Sequence, residues 1–443
     1  MMKAIINLII SLTLLALPLG GCAPREGLEA KQETTGASDS QGQDKKPVTL
    51  TFYTYGNTLT NTEFDNFFVQ PVKKLYPHIT LKRIEPPATT TPEELFTSGT
   101  VPDIIYTSDG SYYRFTTLGA VEDLKTLIEK HHFDLNRIKP VLTESIRSYS
   151  SKGELVALPF SFNLSILYYN KDIFDKFGIA YPPDAGFTWE KALDLGRQLT
   201  RSDNGVNYVG IDLGGPTQVA RSLPLSLIDP QTGKGALQSA GWTQVFTTLK
   251  QSYDIPGFIG PDKKYSYDKD SFMKDRTLAM RVSYLANMIG PLEELRQQGK
   301  ELNWDLAPPP YYDEPSVGGS IHSLLISSKS LHKDEAFQVI TTALSDEVQR
   351  TAVRNGRVAS IDKPELEKEY GADIEVLKGK KIANVFKVKP RKVSTPSEFD
   401  NDIGKWLTKA TDDIALNGTD VNTAVRKAQE GINKDLESIR KNR

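Results

Sequence analysis

LPFSFNLSILYYNKDIFDKFGIAYPPDAGFTWEKAL, residues 158–193, decides the fold. Residues 154–160 and 166–169 read as strands. Residues 189–199 read as a helix, with Thr188 as the N-cap whose hydroxyl accepts from an unpaired first-turn amide. The same alternation runs outward in both directions. Upstream, 48–55 (VTLTFYTY) alternates apolar and polar residues and reads as a strand ended by Gly56 and Asn57. Phe64, Phe67, Phe68, Val72 and Leu75 then share one helical face, with a kink expected at Pro71 and a stop at Pro77. Residues 79–84 and 104–106 complete two more strands, the second left through Ser108-Asp109-Gly110. Downstream, 291–298 reads as a helix with Pro291 at its first position, 321–327 as a strand and 334–344 as a helix. The spacing of Val421, Ala424, Val425, Ala428, Ile432, Leu436 and Ile439 predicts a long amphipathic helix capped by Asp420. Strands alternating with helices predict an α/β chain of sheets flanked by helices. Residues 265–270 and 378–392 are polar enough to read as exposed loops or frayed helices, and no internal repeat is present.

The N-terminus carries a separate message. Lys3 precedes an apolar stretch (4–19) shorter than the ~20 residues a bilayer-spanning helix needs, and Leu19-Gly20-Gly21-Cys22 follows. A charged start, a short apolar run and small residues form a signal peptide over 1–21. Leu-Gly-Gly-Cys resembles the lipobox of bacterial lipoproteins, which makes Cys22 the expected lipid-attachment site; the alternative is an ordinary secretory signal with a stray cysteine. Two acyl chains would anchor the protein stably, where one holds only marginally. Residues 22–46 are nearly free of apolar side chains and read as the lipidated cysteine plus a flexible tether, with folded structure starting near Pro47. Cys22 is the only cysteine, so the body has no disulfide or cysteine metal site. The expected location is the extracytoplasmic face of the cell membrane.

Composition fits a soluble body: 38% hydrophobic and 25% charged residues, in a chain long enough for two domains of roughly 150–200 residues. A net charge of −2 with both signs mixed argues against the single-sign patch nucleic-acid binding needs. The five histidines show no zinc spacing, and no phosphate-cradling loop ends in Lys-Ser or Lys-Thr.

Several segments together resemble the extracellular solute-binding proteins of ABC transporters, in their sugar-binding lipoprotein branch. They are PDIIYTSDGSYYRFTTLGAVEDL (102–124); Tyr-Tyr-Asn-Lys-Asp-x-Phe-x-x-x-Gly-Ile with Pro-Pro and Thr-Trp-Glu inside 158–193; SFMKDRTLAM (271–280), with Asp275 where glycine is usual; WDLAPPP (304–310); GGS (318–320); and HKDEAFQVITTALSDEVQ (332–349). The resemblance runs from Val48 to about Glu437 and is weakest over 364–399. It implies a two-lobed periplasmic-binding-protein-like fold, each lobe a mixed sheet flanked by helices, with the ligand cleft at the hinge. Crossings are expected near 159–163 and 308–318. Lobe one would hold 47–158 plus about 319–362, and lobe two 159–318 plus about 363–443. The implied function is the binding component of an importer: a saccharide is taken between the lobes and handed to an ABC permease, with no cofactor and a monomeric state. Alternatives are a non-sugar solute, a sensor for a membrane kinase and, in another class, a secreted glycan hydrolase.

A sugar ring presents apolar C–H faces and a rim of hydroxyls, so its site needs aromatic faces and polar groups. Tyr53 and Tyr55 end the first strand and point to one side, where open α/β sheets place ligands; the alternative is packing under the loop. Asp109 follows the third strand, either as a ligand contact or as an Asx turn with Gly110. Asn163 is favoured over Phe160 at the hinge, beside Ser161. Ser283, Tyr284 and Asn287 follow a strand at a place where the family lines its cleft. Gly319 and Ser320, after Gly318, offer backbone amides and close approach, with His322 beyond. Gly214-Gly215, Trp242 and Trp304 are weaker candidates, and Trp189 reads as structural. For the hydrolase alternative Asp103, Asp109 and Asp212 are the available carboxylates, with no spacing that singles out a pair. Tyr168-Tyr169 and Tyr311-Tyr312 resemble the paired tyrosines of iron-binding relatives.

Overall fold

The computed structural model describes residues 46–442 except 86, 88, 89, 151, 393 and 395. Cys22 and the leader and tether around it lie outside the described residues. Strands β1 (Val48–Tyr55), β2 (Ile79–Ile84), β3 (Ile104–Ser108) and β4 (Leu158–Asn163) come first. They are followed by β5 (Ser165–Asn170), β6 (Arg201–Asp203), β7 (Val206–Tyr208), β8 (Met280–Tyr284) and β9 (Trp304–Ala307). Last come β10 (Ser316–Val317), β11 (Ser320–Ile326), β12 (Val358–Ala359) and β13 (Lys389–Pro390).

One sheet has the order β12-β4-β11-β3-β1-β2. β1 runs parallel to β2 and β3, as a helical connection requires. That connection carries most of the expected apolar face: Phe64, Phe67, Phe68 and Val72 are buried, with Phe52 packing 5.0 Å from Phe64 and 4.9 Å from Phe68, whereas Leu75 at the helix end is exposed. In place of a simple kink, a π-helical turn Asp65–Val69 precedes the segment Gln70–Leu75 that contains Pro71. Such a widened turn absorbs a local break in the ladder. β11 returns antiparallel between β3 and β4.

The second sheet is β8-β5-β9, all antiparallel. Every residue of β5 is buried. Ile166 and Tyr168 enter one apolar core and Leu167 and Tyr169 the other, so the strand is apolar on both faces and lacks polar alternation. The chain leaves the first sheet at Leu164, between β4 and β5. The crossing expected at 159–163 is therefore itself a strand of the first sheet. The return runs from β9 to β11, with β10 pairing β13 on the way.

Two further readings are corrected. The helix read from Pro291 spans Leu285–Gln297, with the proline inside it. The helical turn Ile382–Phe386 occupies part of 378–392, where Val385 and Val388 are buried.

Candidate functional site

The site grows from the end of β3. There the chain turns through Asp109–Ser111, and Asp109 is 7% exposed. Its Oδ1 accepts from the Ser320 hydroxyl at 2.8 Å. Burial pushes its carboxyl upward, while Ser320, the charge of Arg221 and the amides of Ile321 and Gly110 pull it back.

Arg221 approaches from the other sheet's side, just after the helix Gly215–Ala220. Its Nε donates to Gln218 Oε1 and its Nη1 to the Gly319 carbonyl, both at 3.0 Å. The Arg221 carbonyl accepts from the Gly318 amide at 2.7 Å. Its guanidinium lies 4.6 Å from the centre of the Tyr284 ring. Burial lowers the Arg221 pKa, and Asp109 raises it. Opposite charges from the two sides of the molecule thus meet around Gly318-Gly319-Ser320. Gly319 is required there by close approach: a Cβ would stand 2.5 Å from Phe162 Cζ and 2.6 Å from the Asn163 carbonyl.

Above this floor opens a chamber of about 490 Å³, lined by Asp109, Arg221, Gly214, Trp242 and Gly319 among others. A second chamber of about 700 Å³ adjoins it. Tyr113, Tyr149, Pro396 and Ser397 belong to the walls of both. Tyr149 packs 4.8 Å from Tyr112 and 5.5 Å from Tyr113, forming an aromatic wall. Tyr113 Oη donates to the Pro396 carbonyl at 3.1 Å. Asp400 lines the first chamber; burial pushes its carboxyl up to about 6, offset in part by the Ser397 amide at 3.0 Å. Its other oxygen, Oδ1, is buried without a hydrogen-bond partner.

The cluster thus brings together Asp109, Tyr284, Gly319 and Ser320 of the expected residues. Others sit elsewhere. Tyr53 is 1% exposed, and Tyr55 packs 5.9 Å from Phe115 under Arg114. Both do share one side of β1, 6.1 Å apart, yet neither lines a chamber, because that side is covered by the helix Tyr112–Thr117. Asn163 turns away from the chambers, its Oδ1 accepting from the Ala286 amide at 3.2 Å. Ser283 is buried within β8, and Asn287 lies exposed on the following helix, outside both chambers. His322 faces Arg357, Nδ1 to Nη1 at 3.4 Å, and lines neither chamber. Trp304 is buried under Lys380. Trp189 donates to Ser222 at 3.0 Å as a packed structural residue.

Sequence reasoning missed Tyr113, Tyr149, Arg221 and Asp400. Tyr113 lay inside the quoted segment 102–124, unused. Arg221 and Tyr149 fall between motifs, and Asp400 adjoins the least similar stretch.

The rival chemistries have structural answers. Asp103 accepts from the Thr51 amide and the Thr51 and Ser330 hydroxyls, and Asp212 pairs with Arg281. Of the three carboxylates weighed for hydrolysis, Asp109 is the one that lines the chambers. Tyr168 and Tyr169 point to opposite faces of β5, so that pair does not present two phenols to one ion, and Tyr312 Oη is hydrogen-bonded to Thr248 at 2.8 Å. An aromatic wall flanked by two carboxyls and a guanidinium can hold a neutral ring with a polar rim.

The family model for bacterial extracellular solute-binding proteins matches residues 68–378. Solved structures share the fold. A sugar transporter protein from Rhizobium etli in an open conformation superposes with a TM-score of 0.71 at 18% identity, covering 87% of this chain and 99% of that one. The sugar-binding protein MalE from Xanthomonas citri gives 0.70 at 18% identity, over 89% and 98%. An ABC substrate-binding protein from Listeria monocytogenes in complex with cycloalternan gives 0.68 at 18%, over 89% and 100%.

Proposed function

The chain belongs to the bacterial extracellular solute-binding proteins, and on that premise we propose that it binds a saccharide between two lobes and delivers it to an ABC permease. The first lobe is the part built on the six-stranded sheet, and the second the part built on β8-β5-β9 with the C-terminal helices. The observation that carries the ligand class is the wall of Tyr113 and Tyr149 beside Asp109, Arg221 and Asp400. Aromatic faces take the C–H side of a pyranose, and charged acceptors and donors take its hydroxyls. A related structure in complex with cycloalternan and a related sugar-binding protein support the same class. Binding, with no chemical step, is the activity. Contacts to the second lobe form fully on closure, so ligand shifts the population toward the closed form that docks on the permease.

Calorimetry and thermal shift against mono- and oligosaccharides test this. Saturable binding without products is expected, and ligand at 100 times its Kd adds about 2.7 kcal/mol to apparent stability. Turnover, or no binding across the panel, overturns it. Cys22 is the proposed lipid anchor, which holds the receptor near its permease. Cys22→Ala is expected to move the protein from the membrane fraction to the medium; unchanged fractionation overturns the anchor.

A further inference from the structure

A smaller cavity of about 150 Å³ lies beside the first chamber, and Pro216 and Thr408 line both. Three aromatic residues wall it, Tyr253, Phe258 and Tyr265, with the Tyr253 ring 5.8 Å from Phe258 and 5.5 Å from Tyr265. Protein interiors keep few voids larger than a water molecule. A space of roughly 150 Å³ accommodates one six-membered ring.

Its polar groups narrow the chemistry. Ser252 and Thr411 spend their hydroxyls on the Leu249 and Leu407 carbonyls at 2.7 and 2.8 Å, and Tyr265 bonds Asp412. Asp212 at the floor is held by Arg281 and by the Gly214 amide at 3.2 Å, so its charge is already balanced and a cation gains little there. Tyr253 makes no hydrogen bond among the described residues, and burial keeps its phenol protonated, a donor facing the pocket wall. Ser266 and Thr408 stand exposed at the rim. A neutral ring with an apolar face and a hydroxyl rim matches this set.

We propose that this pocket is a separate subsite for one further hexose ring of a saccharide seated in the main cleft, reached over Pro216 and Thr408. The assignment rests on the carbohydrate reading of that cleft. It predicts that the preferred ligand has at least one ring more than the chambers alone would select.

Two variants test it. Ser266→Trp caps the pocket from an exposed loop, and Tyr253→Phe removes a single hydroxyl. Both are compared with wild type by calorimetry on linear and branched gluco-, manno- and galacto-saccharides from mono- to hexasaccharides. The tightest wild-type ligand is expected to lose at least about tenfold in affinity in Ser266→Trp, and severalfold in Tyr253→Phe. The same saccharide shortened by the ring in question should bind all three proteins equally. If both variants bind every saccharide as wild type does, the subsite is overturned while the carbohydrate reading stands. If wild type binds none, the carbohydrate reading is overturned and the subsite with it. Should Ser266→Trp fail to fold, Tyr253→Phe carries the same comparison.

Discussion

Two buried titratable groups give stability opposite slopes with pH. Asp400 has a native carboxyl near 6 against 3.8 in the unfolded chain. Between those values the native state holds a proton that the unfolded state has released, so its contribution to stability falls as pH rises from about 4 to 6. His322 is buried neutral, its pKa brought down to about 3 from 6.5, first by burial and then by the charge of Arg357. Below pH 6.5 the unfolded chain takes up a proton that native His322 refuses, so stability is lost as pH falls toward 3. Asp400→Asn is therefore expected to gain ~1–3 kcal/mol at pH 7 and nothing at pH 3.5. His322→Gln should spare about 3 kcal/mol of the loss at pH 4. Urea unfolding across pH 3.5–8 checks both; two profiles parallel to wild type would mean that neither group titrates in these windows.

Elements were legible where one local signal decided them. Thr188 accepts from the Lys191 amide as its N-cap position predicts, and β1, β2 and β3 form where strands were expected. β4 was read four residues early because Leu155, Val156 and Ala157 are as buried as a strand without being one. Pro159 lies inside both the expected and the observed strand, although proline cannot donate to a ladder. The structure accommodates it where β11 slips register between His322 and Ser323, opposite Pro159. Pro291 misled in the other direction, since the common first-turn position is not obligatory. At the site, residues beside a strand end (Asp109, Ser320) were found, whereas Arg221 and Asp400 were not, because long-range packing and not local pattern brings them in. Gly319 shows how tightly β11 and β4 are matched. Gly319→Ala puts a methyl against the Asn163 carbonyl, which cannot yield as a flexible side chain would, and is expected to cost ~1–3 kcal/mol. Gly110→Ala meets nothing within 4 Å and should cost under ~1 kcal/mol. Equal losses in denaturant titrations would remove the packing explanation.

At the scale of the whole molecule, two opposite charges lie within electrostatic reach at the floor of the chamber. Asp109 stands on the side of the six-stranded sheet and Arg221 on the other side, and each is desolvated at the floor of the chamber. In the open form proposed above both charges are rehydrated, so neither opposes it. In this structure Arg221 is held by Gln218, the Gly319 carbonyl and the Tyr284 ring, and Asp109 by Ser320 and the amides of Ile321 and Gly110, while each charge also favours the other. Removing one partner of a buried pair leaves an uncompensated charge, which costs more than removing both. Arg221→Met should therefore make closure harder and weaken ligand binding by about tenfold or more, because Asp109 loses the opposite charge that favours its ionised form. Asp109→Asn combined with Arg221→Met should recover part of that loss, giving a coupling of ~1–3 kcal/mol in a double-mutant cycle. Small-angle scattering at saturating ligand supplies a readout that ligand contact alone does not move: the radius of gyration should contract in wild type and in the double variant, and less in Arg221→Met. Strict additivity of the two single substitutions, with equal contraction in all three, would mean that these charges do not communicate across the hinge.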